Sequence, residues 1–402
     1  MGTDNDNLFR SQGFNKITGI QYNLPKEGKD ERKEGNKKEP NDNQKGKEKN
    51  PNKEKKYIIN ETIVPKGLNN IGSTCYMNSV IQSLYHISDL SNGLLDLYNQ
   101  DILNEEILNK MPMTLSFLEV VYNLSFRESK SFSPERFKII ISKNESFRKF
   151  EANDSKTLTL YVLDTLNKEL NENKIPQKNE KIINPIRNYN VQDANGIVKF
   201  FNENHNTLIG DLFNGLKSTD YICDTCSNVV KNYQIFNIIT CSIEKTFMDK
   251  YGNKQKLEKD LKVDILDCFK LEEKPNLFVG NNQIFCGQCN TSRDGKSINK
   301  ICISPKIMIL FLDRGLNNRF MCDVDFPEEL DINNFLETKG NKYKLIGVIE
   351  HLGQSGESGH FIANCKHFNG EWYIFSDSSI HPTQKEYKQY GVPYLLFYRR
   401  ED

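Results

Sequence analysis

Five short apolar runs, separated by turn residues, fill the C-terminal third of the chain: KIMILFLD, YKLIGVIEHLG, GHFIANCKHF, EWYIFSD and PYLLFY, between residues 306 and 398. Runs of this length, rich in β-branched and aromatic residues, predict antiparallel strands. Upstream, Leu158, Val162 and Leu166 recur at every fourth position, a helical stripe that Asp154 or Ser155 can cap. Helical signals followed by strand signals predict an α+β fold.

Charge and hydropathy exclude several function classes. The 402 residues include 54 basic and 54 acidic side chains, so the overall charge favours neither nucleic acid nor an acidic membrane. The longest obvious apolar run, 307–312, is far too short to span a bilayer, and the N-terminus lacks the apolar core of a secretory signal. We therefore expect an intracellular protein, in the cytoplasm, the nucleus or both, that binds neither nucleic acid nor membrane.

The N-terminal segment has a different composition from the rest. Residues 25–56 contain no Ala, Val, Ile, Leu, Met, Phe, Trp, Tyr or Cys, and their net charge is +4. Such a segment buries too little apolar surface to offset its ordering entropy. The sequence therefore predicts a disordered charged tail over 1–56 and a folded domain over 57–402.

Cys75 is a candidate nucleophile. It stands in GLNNIGSTCYMNSVIQSL, where glycines and hydroxyl residues lead into a helix-like stretch. A cysteine at a helix N-terminus meets unpaired N–H groups and the positive end of the dipole, which favour the reactive thiolate. Backbone N–H groups there, with the side-chain amide of Asn70 or Asn69, could hold an oxyanion. A buried structural cysteine is the alternative, and this segment alone leaves it open.

A downstream hairpin offers a base for the thiol. The stretch GHFIANCKHFNGEWYIFSDSS indicates two strands joined at Asn369-Gly370. With a two-residue turn there, His360 shares a face with Asp377, whereas Ser376 lies on the other face. A histidine and a carboxylate on one face can form the base and orienting pair that a nucleophilic cysteine needs. A bulge in the hairpin would reverse this parity.

Two Cys-x-x-Cys pairs predict a metal site formed by Cys223, Cys226, Cys286 and Cys289. Each pair supplies two thiolates from one tight turn, and four thiolates suit a structural zinc with no position left open for water. The second pair begins 60 positions after the first pair ends, which exceeds the spacing of a compact zinc ribbon, so we expect an excursion between paired strands. We expect structural zinc and no catalytic cofactor.

With both ends in view, the chain resembles the ubiquitin-specific proteases, papain-like thiol enzymes that deubiquitinate proteins. The resemblance covers 67–399 and rests on GLNNIGSTCYMNSVIQSL, near the family pattern G-L-x-N-x-G-N-T-C-Y-M-N-S-x-x-Q, and on GVIEHLGQSGESGHFIA with WYIFSDSS and PYLLFYRR. It implies a papain-like α+β fold with a mainly helical thumb over 67–200, zinc-bearing β fingers over 205–300 and a β-rich palm over 301–402.

The resemblance also implies roles for individual residues. Cys75 would be the nucleophile, His360 the general base and Asn70 the oxyanion donor. Ser376 occupies the place where the family usually has the Asp or Asn that orients the histidine, so we assign that role to Asp377. Two residues are assigned to binding of the ubiquitin tail: Asp154 and Phe361.

The implied function is that of a ubiquitinyl hydrolase, a cysteine-type peptidase that cleaves after the C-terminal glycine of ubiquitin through an acyl-enzyme on Cys75. Ubiquitin and ubiquitinated proteins are the implied partners, and we expect a monomer. A ubiquitin-binding scaffold with weak or lost turnover is the alternative, and Ser376 is its support. An ordinary papain-like peptidase is a third interpretation, and the paired cysteines argue against it.

Overall fold

The structure is a computed structural model. It describes residues 56–149, 151–175, 206–252, 261–315, 320–337, 339–340, 342–355 and 358–401. The tail predicted over 1–56 lies outside the described residues except for Lys56.

Helices come first in the described chain and pack around a shared apolar core. The predicted stripe of Leu158, Val162 and Leu166 is fully buried in this core, and Asp154 caps its helix by accepting from the Thr157 N–H at 2.6 Å. The helices are α1 (Cys75–Tyr85), α2 (Ser88–Asn99), α3 (Glu105–Leu108), α4 (Pro112–Phe126), α5 (Glu135–Ile141), α6 (Ser155–Glu172) and α7 (Leu208–Phe213). A two-stranded parallel sheet, β1 (Gly67–Leu68) with β2 (Ser131–Phe132), lies before and among them.

An eight-stranded sheet forms the centre of the molecule. Its strands are β5 (Ile238–Ser242), β11 (Ile307–Asp313), β13 (Glu329–Leu330), β14 (Tyr343–Ser355), β15 (Ser358–Lys366), β16 (Trp372–Ser376), β17 (Ser379–Gln384) and β18 (Val392–Arg400). Their order is β17-β16-β15-β14-β18-β11-β5, with β13 paired to β14, and all pairs are antiparallel except β11 with β5. All five predicted strand runs lie in this sheet, and the α+β class is confirmed.

The sheet is covered on both faces, which explains why β11 is an unbroken apolar run. Ile307 and Ile309 pack into the core shared with the helices described above. Met308 and Leu310, on the opposite face, pack into a second core with two further helices, α8 (Ile243–Tyr251) and α9 (Ile265–Glu272). A short parallel pair closes this second layer: β6 (Lys262–Asp264) with β12 (Asp323–Asp325).

A four-stranded sheet extends from the end of α7, formed by β3 (Gly215–Cys223), β4 (Val229–Phe236), β7 (Asn276–Phe278) and β10 (Gly295–Ile303) in the order β4-β3-β10-β7. A hairpin of β8 (Ile284–Cys286) with β9 (Thr291–Arg293) adjoins it. The predicted excursion between the cysteine pairs is present, because β5, α8, β6 and α9 return to the eight-stranded sheet before β7. The range 205–300 therefore contains more than the four-stranded sheet.

Candidate active site

The loop before α1 is held in shape by one amide. The side-chain oxygen of Asn70 accepts from the N–H of Gly72 at 3.0 Å and of Thr74 at 3.2 Å. Gly72 and Ser73 both have positive φ, 118° and 48°, so the chain turns sharply before the helix begins at Cys75. Cys75 thus lies at the first position of a helix whose leading N–H groups have no intrahelical partner.

Cys75 and His360 meet although they come from opposite ends of the folded chain. Helix α1 packs on β15, the strand that carries His360, and the imidazole hydrogen bonds to the Cys75 thiol. The backbone N–H of Phe361 donates to the same sulfur. Two of the predicted site residues are therefore in direct contact, and both titratable groups are partly buried.

The second contact of His360 corrects the predicted hairpin register. His360 Nε2 lies 2.9 Å from Ser376 Oγ, and strands β15 and β16 pair with Ala363 opposite Phe375. The two-residue turn was wrong: the loop has three residues and ends at Gly370 with φ +84°, which shifts the register by one. Ser376, not Asp377, therefore shares the face of His360.

Asp377 occupies the tight turn between β16 and β17 with φ +52° and turns toward the loop before α1. Its two carboxylate oxygens accept from the amides of Asn70 at 2.9 Å and Asn78 at 2.8 Å. The turn packs directly on β1, because a Cβ on Gly67 would lie 2.5 Å from the carbonyl oxygen of Ser378. Asp377 thus fixes Asn70, the predicted oxyanion donor, and leaves it one further N–H to donate.

The electrostatics of the pair favour a thiolate beside an imidazolium. Burial alone would raise the pKa of the Cys75 thiol, but the hydrogen bonds from His360 and Phe361 and the charge of His360 together lower it. The hydrogen bond to Cys75 raises the pKa of His360, and the negative charges of Cys75 and Asp377 add to this against burial. Asp377 is therefore close enough to act on His360 through its charge.

The two predicted tail-binding residues lie beside this pair. The ring of Phe361 lies between those of His351, in an edge contact with centroids 4.8 Å apart, and Tyr394, in a tilted contact with centroids 5.4 Å apart. The hydroxyl of Tyr394 in turn donates to the carboxylate of Asp154. The start of α6 also contacts α1 directly, since Ser155 Oγ donates to the carbonyl of Tyr76 at 3.3 Å.

The four paired cysteines converge at the tip of the four-stranded sheet, where their sulfur atoms all lie within 4.8 Å of one another. The sulfurs of Cys226 and Cys286 are 3.5 Å apart. Tetrahedral zinc with Zn–S bonds of about 2.3 Å needs sulfurs about 3.8 Å apart, so the cluster fits this ion. The donor set and its spacing are compatible with a structural zinc.

Two contacts were missed by sequence reasoning. Asn78 donates to Asp377 and to the carbonyls of Leu68 and Asn69, and so ties α1 to β1 and to the β16–β17 turn. Its position three residues after Cys75, on the same side of the helix, was the available signal. The contact between Ser376 and His360 was indicated by the family position of Ser376, but the predicted hairpin register placed Ser376 on the other face. Asn69, the other candidate amide, instead donates to Ser133 at 2.8 Å.

The helices in the described part of the chain include none that is both long enough and apolar enough to cross a membrane.

Comparison with known families gives one match over most of the chain. Residues 66–398 match the family described as ubiquitin carboxyl-terminal hydrolase. The match begins just before β1 and ends in β18, so it contains every residue of the site described above.

Two curated relatives illustrate the similarity. Ubiquitin carboxyl-terminal hydrolase 2 of Bos taurus is 27% identical over 349 residues, 83% of this chain and 54% of the relative. Ubiquitin carboxyl-terminal hydrolase 8 of Saccharomyces cerevisiae is 26% identical over 387 residues, 85% of this chain and 73% of the relative. The chain spans about half the length of the mammalian relatives that it matches.

Among solved structures, the fold is similar to a chain of the SAGA DUB module bound to monoubiquitin, with a TM-score of 0.62, 19% identity and coverage of 86% of this chain and 71% of that one. A second structure of the module, bound to ubiquitin aldehyde, gives a TM-score of 0.61 with 20% identity, covering 84% of this chain and 70% of that chain. At these identities the likeness shows the fold alone.

Proposed function

Since the chain belongs to the ubiquitin carboxyl-terminal hydrolase family, we propose that it is a thiol-dependent deubiquitinase that hydrolyses the bond after the C-terminal glycine of ubiquitin. The observation that carries the proposal is the hydrogen bond between Cys75 and His360 at the start of α1, with the pKa of the thiol lowered and that of the imidazole raised. A buried structural cysteine has no need of such a partner.

In the proposed reaction, the Cys75 thiolate attacks the glycine carbonyl and forms a carbon–sulfur bond. The oxyanion accepts from the remaining N–H of Asn70 and from backbone N–H groups at the start of α1. His360 then gives its proton to the departing lysine amine as the carbon–nitrogen bond breaks. Water, deprotonated by the same imidazole, hydrolyses the thioester and restores the thiolate.

We propose that the role usually given to one carboxylate is divided between Ser376 and Asp377. The hydroxyl of Ser376, 2.9 Å from Nε2, sets the direction of the imidazole. The carboxylate of Asp377 supplies negative charge to the imidazolium and holds Asn70 in place. Nε2 faces Ser376, and we infer that Nδ1 faces the thiol.

The four-cysteine cluster supports the further proposal that zinc holds the tip of the four-stranded sheet together. When bound, the ion would cross-link the two Cys-x-x-Cys turns and take no part in the chemistry, since all four of its positions would be filled by the protein. The helices over 67–175, the four-stranded sheet and the eight-stranded sheet would then form the thumb, the fingers and the palm.

We propose that the protein acts inside the cell, in the cytoplasm or nucleus, because none of its ten cysteines forms a disulfide. The monomeric state stays a prediction, which light scattering coupled to size-exclusion chromatography measures.

A binding scaffold without turnover remains the second candidate, because the direct partner of His360 is a neutral hydroxyl instead of a carboxylate. Ubiquitin carrying a C-terminal aminomethylcoumarin separates the two functions. We expect the full chain to release the fluorophore continuously and the Cys75→Ala variant to release none. Saturable binding of ubiquitin without release by the unmodified chain would establish the scaffold instead.

A further inference from the structure

Asn78 is a buried amide one turn along α1 from Cys75. The residue is 2% exposed, which leaves it almost no surface with which to touch a substrate. Its Nδ2 lies 2.8 Å from one carboxylate oxygen of Asp377, and 3.3 Å and 3.4 Å from the carbonyl oxygens of Asn69 and Leu68. Every side-chain hydrogen bond of Asn78 is therefore made to β1, to the residue that follows β1 or to the turn that carries Asp377.

The oxygen of the same amide is unused. Among the described residues, no group donates to Asn78 Oδ1, although this atom is buried. A buried oxygen without a donor costs stability, and an apolar side chain of the same branched shape would avoid that cost. Stability alone therefore does not explain an asparagine at this position. Its N–H groups explain it better, because the shortest of their contacts is to a charged acceptor, the carboxylate of Asp377.

Asp377 is anchored at three points, and Asn78 supplies one of them. The backbone carbonyl of Asp377 accepts from the N–H of Leu68 at 2.9 Å. One carboxylate oxygen accepts from Asn70, in the exposed loop before α1, and the other accepts from Asn78. Asn78 is the anchor that belongs to the helix of Cys75. It therefore ties the position of the carboxylate to that of the nucleophile.

The position of this carboxylate affects both reacting groups. Its negative charge acts on the Cys75 thiol and on the His360 imidazole, the ionisable groups that face it from α1 and β15. Its second oxygen orients the amide of Asn70. A carboxylate that moved away would support the imidazolium less and would release the amide, because both effects fall with distance.

We propose that Asn78 is a positioning residue for the reaction, which holds the carboxylate of Asp377 in place relative to Cys75 so that the same carboxylate can orient Asn70. This inference rests on the proposed function, because turnover is its readout. Asn78 acts through Asp377 and has no contact of its own with the substrate.

A double-substitution cycle tests whether Asn78 acts through Asp377. The four proteins are the full chain, Asn78→Leu, Asp377→Ala and the variant that carries both changes. Steady-state release from ubiquitin aminomethylcoumarin gives kcat and KM for each, and a thermal melt shows that each is folded. The control is Asn92→Leu, which removes an amide on α2 that accepts from the N–H of Ile59 at 3.0 Å.

We expect Asn78→Leu to lower kcat about 10-fold with KM unchanged, because the carboxylate loses a buried, charge-assisted hydrogen bond. In the Asp377→Ala background the same substitution should lower kcat less than about 2-fold, since the group that it positions is gone. Asn92→Leu should leave kcat unchanged. Equal losses in the two backgrounds would mean that Asn78 supports only the fold, and the inference would be wrong. If the unmodified chain releases no fluorophore, the proposed function itself fails.

Asn78→Asp keeps the size of the side chain and serves if Asn78→Leu does not fold. It places two carboxyl groups within hydrogen-bond distance, and such a pair binds one proton more readily than a single carboxyl does. The protonated carboxyl can then donate to Asp377 as the amide does. We expect the kcat of Asn78→Asp, relative to that of the unmodified chain, to rise as the pH falls from about 8 to about 5. A ratio that does not change with pH would contradict the positioning role.

Discussion

At the scale of single residues, the site depends on how two adjacent side chains divide one task. Ser376 contacts His360 directly, whereas Asp377 contacts Asn70 and Asn78 and reaches the imidazole only through its charge. A neutral hydroxyl can orient an imidazole but stabilises its positive charge less than a carboxylate does. Asp377 adds negative charge near the imidazole, so we expect the two residues not to be equivalent.

The two residues can be compared by single substitutions. Ser376→Ala removes one hydrogen bond to a charged imidazolium, which is worth about 1.5 kcal/mol, so we expect kcat/KM to fall about 10-fold. Asp377→Ala removes a charge and both amide anchors, and we expect a loss of about 100-fold or more. Steady-state release from ubiquitin aminomethylcoumarin measures both. If Ser376→Ala lowers kcat/KM more than Asp377→Ala does, Ser376 contributes more than Asp377 to the action of His360.

The pH profile tests the charge of Asp377 separately. Its negative charge raises the pKa of both Cys75 and His360, because both lose a proton less readily beside an anion. The unmodified chain should show a bell-shaped kcat/KM with its acid limb below the ordinary thiol pKa and its alkaline limb above the ordinary imidazole pKa. Asp377→Asn should move both limbs to lower pH, whereas Ser376→Ala, which changes no charge, should move them less.

At the scale of elements, the zinc proposal concerns only the tip of the four-stranded sheet. Cys286→Ser leaves three ligands, and we expect the bound zinc to fall from one ion per chain to much less, with a lower melting temperature. Elemental analysis and a thermal melt measure the two effects. Cys322→Ser, outside the cluster, should keep the metal. An unchanged melting temperature after removal of zinc by a chelator would contradict a structural role.

Sequence reasoning predicted elements better than it predicted their registers. The runs that became β11, β14, β15, β16 and β18 were recognisable because apolar patterning is a local property. The register between β15 and β16 could not be recognised in the same way. Asn369-Gly370 is compatible with a two-residue turn and also with the observed three-residue loop, which ends in a left-handed glycine. One added loop residue exchanged the faces of Ser376 and Asp377.

The apolar pattern of the sequence also could not predict contacts between distant elements. Asn78 contacts Asp377 in the β16–β17 turn, and Lys156 contacts Phe311 on β11. Only the folded chain brings these partners together. By contrast, the meeting of the four cysteines could be anticipated, since the spacing within each pair already forms half of a tetrahedral site.

At the scale of the whole molecule, the helical layer and the eight-stranded sheet must keep a fixed relation for Cys75 to meet His360. An ion cluster joins them. Asp89 at the start of α2 lies 2.8 Å from the ammonium of Lys306 and 2.7 Å from Nε of Arg399 on β18. Burial alone would raise the pKa of Asp89, but the hydrogen bond from Lys306 and the charge of Arg399 bring it below its ordinary value.

Because the pKa of Asp89 is lowered on folding, its contribution to stability is present above its unfolded pKa and is lost as the pH falls through its folded pKa. We expect Asp89→Asn to cost about 2 kcal/mol of unfolding free energy at pH 7. The difference from the unmodified chain should shrink below about pH 4. Urea unfolding at both pH values measures this, and Asp101→Asn, in an exposed turn with φ +58°, is the matched control. If Asp89→Asn lowers the free energy of unfolding equally at both pH values, the ion pairs of Asp89 are not the cause of the loss.

The proposed deubiquitinase activity requires that the sulfur of Cys75 receive the ubiquitin tail. Intact-mass measurement after incubation with ubiquitin bearing a C-terminal propargylamide, which traps a nucleophilic thiol, tests this directly. We expect one covalent ubiquitin adduct on the full chain, mapped by digestion to Cys75, with none on Cys75→Ala and slow formation on His360→Ala. No adduct on the unmodified chain, or an adduct mapped to any other of its cysteines, would contradict the proposed role of Cys75.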